Sequence, residues 1–270
     1  MKHNINLSIL LPVYNEKENL EFLIPELVKV CEEVCAIYEI IVIDDSSNDE
    51  TAKLMESYIE LFINVKYVVR VINRSLPLSI LEGIHKSKFE NVMWLDADGS
   101  MDSSSVRKLI EKFQEDKNVY IIGSRFVSGG GYKGQLSGNS TIFESAKNIK
   151  NSEDSILAIY LSIIFNKFLQ FLISTNVRDL TSGFIIGKKS LIKESVFAQS
   201  NYGEYFIYLV VDLLKQGQQI VEIGYICKPR LYGKSKTSNN LLTLIRLGLP
   251  YIKAALKCRM TINTKNKSQM

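Results

Sequence analysis

Five short aliphatic runs within the first 122 residues limit this chain more than any other feature. Residues 7–11, 40–43, 65–72, 92–95 and 119–122 are rich in Val, Ile and Leu and almost uninterrupted. Between them the apolar spacing turns helical. Leu20, Leu23, Leu27, Val30 and Val34 recur on one side of residues 17–35. Further helices are expected from about Asn48, over 77–88 and from about 102. The first would be capped by Asn48 or Ser47, with Asp49 and Glu50 in its first turn, and the last by Asp102 or Ser103. Strands that are apolar on both faces and alternate with helices predict a mainly parallel α/β sheet covered on both sides. A chain of 270 residues, 46% of them hydrophobic, has ample material for that core.

Ligands of open parallel sheets bind beyond the carboxyl ends of the strands. Three polar clusters fall there: Pro12-Val13-Tyr14-Asn15-Glu16, Asp44-Asp45-Ser46-Ser47 and Asp96-Ala97-Asp98. One Asp-x-Asp is weak evidence, but three clusters on one rim form a conjunction. No Gly-x-Gly-x-x-Gly follows the first strand and no Walker-type phosphate loop is present. A site that handles a diphosphate without such loops needs a hard divalent cation held by carboxylates. Side chains at i and i+2 of an extended segment share a face. Asp96 and Asp98 are therefore the candidate ligands for Mg²⁺ or Mn²⁺, and the small Ala97 allows close approach.

These motifs, with Gly123-Ser124-Arg125-Phe126, resemble family-2 glycosyltransferases of the GT-A (Rossmann-like) fold. Asp179-Leu180-Thr181-Ser182-Gly183-Phe184 and Arg230-Leu231-Tyr232-Gly233-Lys234-Ser235-Lys236 resemble the dolichol-phosphate mannose synthase and polyprenyl-phosphate branch. The resemblance covers about residues 5–240. It implies an inverting, metal-dependent transfer of a sugar from a GDP- or UDP-sugar to a polyprenyl or dolichyl phosphate. The alternative acceptor is a hydroxyl of a saccharide or lipid-linked glycan. By resemblance, Pro12, Tyr14, Glu16, Ile43 and Asp45 would line the nucleotide. Asp96, Ala97 and Asp98 would contact the donor, with Asp98 the principal metal ligand. Arg230 and Lys236 would close over the diphosphate, and Arg125, Asp179 and Ser182 would lie on the acceptor side. Asp98, Arg125 and Arg230 are the expected catalytic set.

A lipid phosphate is already anionic and needs no general base, whereas a hydroxyl would need a carboxylate. Asp179 and Glu204 are the candidates, Asp179 being equally suited to cap the turn that follows it and Glu204 suiting a helix N-terminus. Three positions depart from the family pattern. Ser100 stands where a Gln commonly helps hold the metal. Ser75 and Ser79 stand where a Gly and an Ala are usual. The polar stretch 128–154 resembles an acceptor lid.

The net charge of +4 conceals an asymmetry. Residues 223–270 hold ten Lys and Arg and no acid, which leaves residues 1–222 at −6. A one-signed basic end suits an anionic partner. Residues 240–258 read as a basic amphipathic helix, broken near Pro250, lying on anionic lipid or docked on the domain. Residues 156–173 are apolar but carry Asn166, Lys167 and Gln170. A Lys at mid-bilayer costs on the order of 3 kcal/mol, so an interfacial or core helix is expected there. The expected division is a glycosyltransferase domain over 1–238 and a membrane-surface segment over 239–270. The N-terminus lacks a secretory pattern, and the four cysteines, without metal-ligand spacing, read as free thiols. The expected location is cytoplasmic, peripheral on the cytoplasmic face of a membrane. A membrane-anchored partner subunit is left open and no nucleic acid is expected.

Overall fold

The computed structural model describes residues 5–71, 73–132, 156–230, 232 and 241–267. The expected strands form in order: β1 (Asn6–Val13), β2 (Ile37–Asp44), β3 (Val65–Val69), β4 (Asn91–Trp94) and β5 (Val119–Ser124). Helices α1 (Lys17–Val34), α2 (Thr51–Leu61), α3 (Leu76–Lys86) and α4 (Ser103–Glu115) separate them. Beyond β5 come β6 (Gly131–Tyr132), α5 (Ile156–Ile173), β7 (Ile185–Lys188), α6 (Ser195–Ala198) and α7 (Tyr205–Lys215). The chain ends with β8 (Gln219–Gly224), β9 (Ile226–Cys227) and α8 (Leu241–Lys267).

Seven strands form one sheet in the order β3-β2-β1-β4-β7-β5-β8, and β6 pairs with β9 in a small second sheet. The large sheet is parallel except for β7, which runs antiparallel to both β4 and β5. Its two faces divide the core. Leu7, Ile9 and Leu11 of β1 pack with α1, α2 and α4 on one side. Leu10, Ile41, Ile43, Val92 and Trp94 pack with α3, α5, α6, α7 and α8 on the other. The period-2 alternation of the strands therefore feeds two cores at once.

Several boundaries differ from the sequence expectation. Helix α2 starts at Thr51, not at Asn48. The expected caps tie two strand-end loops together instead: Ser47 Oγ accepts from Asn15 N at 2.8 Å, and Asn15 Oδ1 accepts from Asn48 N at 2.9 Å. Asp49 serves both helix starts, accepting from Lys17 N of α1 and from Thr51 N of α2. Strand β3 stops at Val69, and the side chain of the next residue, Arg70, ion-pairs with Asp45. Helix α8 runs through Pro250 without a break. Packing just beyond the proline offsets the lost hydrogen bond: Tyr251 meets the Phe165 ring edge-on at 6.1 Å, and Ala254, Ala255 and Cys258 are buried in the second core. All four cysteines are free.

Strand β7 went unread because four residues, Ile185-Ile186-Gly187-Lys188, carry little periodicity. Its glycine is dictated by packing: a Cβ there would lie 2.1 Å from the buried Tyr120 ring. Overpacking of this kind costs about 1–3 kcal/mol. Gly187→Ala is therefore expected to lower unfolding free energy by about that amount in urea titrations, with an unchanged m-value.

Candidate active site

The carboxyl ends of β1, β2, β4 and β5 surround one cavity of about 580 Å³. Of the sequence candidates, Pro12, Tyr14, Glu16, Asp45, Asp96, Ala97, Asp98, Arg125, Ser182 and Arg230 line it, as does Ser100. Ile43 does not: it is fully buried in the second core, and a Cβ on Gly83 would lie 2.8 Å from its Cδ1. Lys236 and most of the 128–154 stretch lie outside the described residues. Asp179 is buried at the back of the site and Glu204 stands at the start of α7.

Strand β4 ends at Trp94, and the chain turns at Gly99, where φ is +78°. That turn presents Asp96 and Asp98 together. Burial, then repulsion from Asp98, push the Asp96 carboxyl up to about 7, while Arg230 and Arg125 oppose the rise. Asp98 is better served. Its Oδ2 accepts from Arg230 Nε at 2.9 Å and its Oδ1 from Ser100 N at 3.0 Å. Arg230 also donates through Nη2 to Glu16 Oε1 at 2.7 Å. One guanidinium thus bridges acids at the ends of two neighbouring strands, β1 and β4, and these acids raise its already high pKa against the opposing effect of burial.

Arg125 is anchored separately. Its Nε and Nη2 make a bidentate pair with Asp179 at 2.8 and 2.7 Å, and Nη2 also donates to Thr181 Oγ1 at 2.8 Å. Asp179 is fully buried and accepts in addition from Arg125 N. Of its two sequence readings, the structural one describes these contacts. Glu204 accepts from the Asn201 and Tyr202 backbone N–H groups, as a helix N-terminal acid does. Ser182 Oγ donates to the Gly123 carbonyl and accepts from Phe184 N.

The wall at Asp45 gives the hydroxyl at Ser79 a role. Asp45 ion-pairs with Arg70 and accepts from Ser75 N at 2.8 Å. Arg70 donates to Ser79 Oγ at 3.0 Å, so the extra hydroxyl at 79 holds the arginine that holds Asp45. Above this wall the Arg74 guanidinium stacks on the Tyr14 ring, 3.9 Å from its centroid. Arg74, Asn201, Tyr202, Tyr132 and Lys228 line the cavity and were missed in the sequence. Lys228 stands two residues before Arg230, and that spacing was the available signal. Arg74, Asn201 and Tyr202 sit in loops without a pattern, and Tyr132 in a two-residue strand too short to show one.

A divalent cation fits these residues in chemistry. Among the described residues no three His, Cys, Asp or Glu side chains cluster to form a metal cage. Asp96 and Asp98 offer a two-carboxylate oxygen set. That suits a hard cation which keeps waters and takes its remaining ligands from a phosphate substrate.

A mainly parallel sheet covered on both faces, with an acidic pair at its carboxyl rim, is the architecture expected of the GT-A class. The glycosyl transferase family 2 model matches residues 8–196, and the chain belongs to that family. It is 26% identical over 192 residues to dolichol-phosphate mannosyltransferase of Saccharomyces cerevisiae, covering 70% of this chain and 71% of that protein. It is 30% identical over 191 residues to dolichyl-phosphate beta-glucosyltransferase of Dictyostelium discoideum, covering 67% of this chain and 53% of that protein. In fold it matches glucosyl-3-phosphoglycerate synthase from Mycobacterium tuberculosis, solved with Mn²⁺, uridine diphosphate and phosphoglyceric acid. The TM-score is 0.64 at 15% identity, over 94% of this chain and 78% of that one.

Asp102 caps α4 just beyond the acidic pair. Burial alone would raise its pKa, but the Lys228 ammonium at 2.7 Å and the Ser105 and Ser104 hydrogen bonds outweigh burial and hold it at about 2. A depressed acid stabilises the fold above its unfolded pKa, and this is lost as pH falls through the folded value. The fall from 3.8 to about 2 corresponds to at most about 2 kcal/mol. Asp102→Asn is expected to lower stability at pH 7 by up to that amount. The difference from wild type should shrink towards zero between pH 4 and 2 in acid-denaturation curves.

Proposed function

We propose that this glycosyltransferase moves a sugar from a nucleoside-diphosphate sugar to a polyprenyl or dolichyl phosphate, with inversion at the anomeric carbon. One observation carries the choice of acceptor. Apart from the Asp96 and Asp98 pair, the carboxylates at the site are committed elsewhere: Asp179 to Arg125, Glu204 to two backbone N–H groups, Glu16 to Arg230 and Asn19, and Asp45 to Arg70 and Ser75. An acceptor that is already ionised needs no base. The likeness to two dolichyl-phosphate transferases supports the same choice.

In this reading Asp96 and Asp98 hold Mg²⁺ or Mn²⁺, which would supply charge neutralisation for the departing diphosphate. Arg230 adds a planar, permanently charged donor to the same leaving group. Lys236 belongs to this group by resemblance. Pro12, Tyr14, Asp45 and Arg74 border the nucleoside. Arg125, held rigid by Asp179, presents positive charge on the acceptor side, with Ser182 behind it fixing the turn that carries Asp179. The second reading, a hydroxyl acceptor, has one observation in its favour. An acid raised to about 7, as Asp96 is, suits a base. A bound cation would remove that fitness by holding Asp96 ionised.

The membrane contact belongs to the same proposal. No helix among the described residues is long and apolar enough to cross a membrane. Helix α5 nevertheless exposes Tyr160, Ile164, Phe168 and Phe171 along one stripe, and α8 exposes Leu249, Leu256 and Met260 along another. Arg246, Lys253, Lys257 and Arg259 are exposed beside the second stripe. This pattern suits anionic lipid on the cytoplasmic face of a membrane.

Transfer of labelled sugar from a panel of GDP- and UDP-sugars to polyprenyl phosphate tests the acceptor. An acid-labile lipid product that vanishes with EDTA is expected, and an alkali-stable glycan would sink the first reading. Asp98→Ala is expected to reduce turnover about a hundredfold or more. For the membrane face, Phe168→Ser with Phe171→Ser should weaken binding to anionic vesicles about tenfold without loss of fold. Undiminished vesicle binding would remove α5 from that face.

A further inference from the structure

Three residues at the N-cap and on the first two turns of α1 face the segment that carries Arg230. Glu16, Asn19 and Phe22 are spaced by three, so they form a stripe. Asn19 is 3% exposed, and all its polar capacity is directed at that stripe and at one distant peptide. Its Nδ2 donates to Glu16 Oε2 at 2.6 Å and to the Tyr232 carbonyl at 3.3 Å, and its Oδ1 accepts from Tyr232 N at 3.0 Å. A side-chain amide that meets both the N–H and the C=O of one residue fixes that backbone in place and orientation. One turn further along, Phe22 stacks on the Tyr232 ring, with centroids 5.5 Å apart and planes 17° apart. On the other side Lys228 N donates to the Ser100 carbonyl at 3.0 Å. Arg230 is thus gripped two residues before and two residues after itself. Neither Asn19 nor Phe22 lines the cavity.

We propose that Asn19 and Phe22 are positioning residues for the transfer reaction: they clamp Tyr232 so that the Arg230 guanidinium is aimed at the diphosphate-binding carboxylate rim. The proposal rests on the donor-site reading above. An arginine contributes to anion binding in proportion to how little freedom it loses on binding. A clamp on its backbone removes that freedom in advance, from residues that never touch the ligand. The hydrogen bond between Asn19 and Glu16 extends the effect, since it orients the carboxylate that holds Arg230 Nη2. The linked chain therefore runs Tyr232, Asn19, Glu16, Arg230, Asp98.

Coupling distinguishes positioning from a general contribution to folding. Binding of UDP and of GDP, each with Mn²⁺, would be measured by calorimetry on the full chain and on Asn19→Ala, Phe22→Ala, Arg230→Ala and the two doubles with Arg230→Ala. For whichever diphosphate the wild type binds, Asn19→Ala is expected to weaken binding about tenfold and Phe22→Ala a few-fold. Adding either to Arg230→Ala should cost nothing further, because the group they position is gone. Unchanged affinity in both single variants, or losses that add to that of Arg230→Ala, would overturn the proposal. Phe22 is half-exposed, so its cycle stands even if Asn19→Ala does not fold. A wild-type chain that binds neither diphosphate would overturn the donor-site reading and this proposal together. Normal wild-type binding with unaffected variants would overturn this proposal alone.

Discussion

The mutual repulsion of Asp96 and Asp98 at the end of β4 is the constraint around which the rest of the rim is arranged. Two carboxylates one residue apart, beside a core, cannot both ionise without cations close by. Arg230 supplies one cation directly to Asp98, and Arg125 acts on Asp96 from further away. Even so, Asp96 is left with its pKa raised to about 7, so the site as folded retains an appetite for more positive charge. The fold handles another buried acid very differently. Glu39, near the amino end of β2, is buried, yet Lys66, Ser8 and the Lys88 N–H hold its pKa down. Satisfaction at one end of the strands and shortfall at the other is the electrostatic difference expected between a structural acid and a site acid.

Arg230 can meet that constraint only because the chain returns to it. The residue lies 132 positions beyond Asp98 and 214 beyond Glu16. Strand β8 at one edge of the sheet and the short β9 beside β6 carry the chain back over the rim, and the grip of Ser100 on Lys228 and of Asn19 on Tyr232 sets the crossing. Each of these contacts joins the loop after β4 or the first turn of α1 to a segment from the far half of the sequence. The rim is therefore a product of topology as much as of the residues on it.

That explains what could be read from the sequence. Asp45, Asp96 and Asp98 were legible because each ends a strand whose apolar run is unmistakable, and parallel topology sends such ends to one side. Ile43 was misplaced because it still lies inside β2, packed under α3, and Asp45 just beyond the strand is the residue that reaches the cavity. Asn19 was invisible because it sits in the apolar periodicity of α1, where one polar residue among Leu20, Leu23 and Leu27 looks like noise. Its partner is a backbone, which no side-chain motif announces. Antiparallel β7 left no signal because its four residues have no alternation to show. Docking of α8 on the domain was one of two readings open for residues 240–258, and its charges did not decide between them: Ala254, Ala255 and Cys258 are buried in the core, while Lys253 and Lys257 are exposed.

Departures from a family pattern are better judged in groups than singly. Taken alone, Ser75 and Ser79 look like intrusions into a wall that usually has no side-chain hydroxyls. In the folded chain Ser75 donates its backbone N–H to Asp45 and its Oγ accepts from the N-terminus of α3, and Ser79 Oγ accepts a hydrogen bond from Arg70. Arg70 in turn neutralises Asp45, with its guanidinium largely buried. A buried ion pair is tolerable only when its remaining donors and acceptors are met. The two serines meet part of that need, so they and Arg70 form one unit. With a small apolar residue at 79 Arg70 would lose the hydroxyl contact, whereas the backbone N–H of residue 75 would still reach Asp45. The same logic applies to Ser100. Its backbone, not its hydroxyl, supports Asp98 and anchors Lys228, and both contacts survive any side chain at that position.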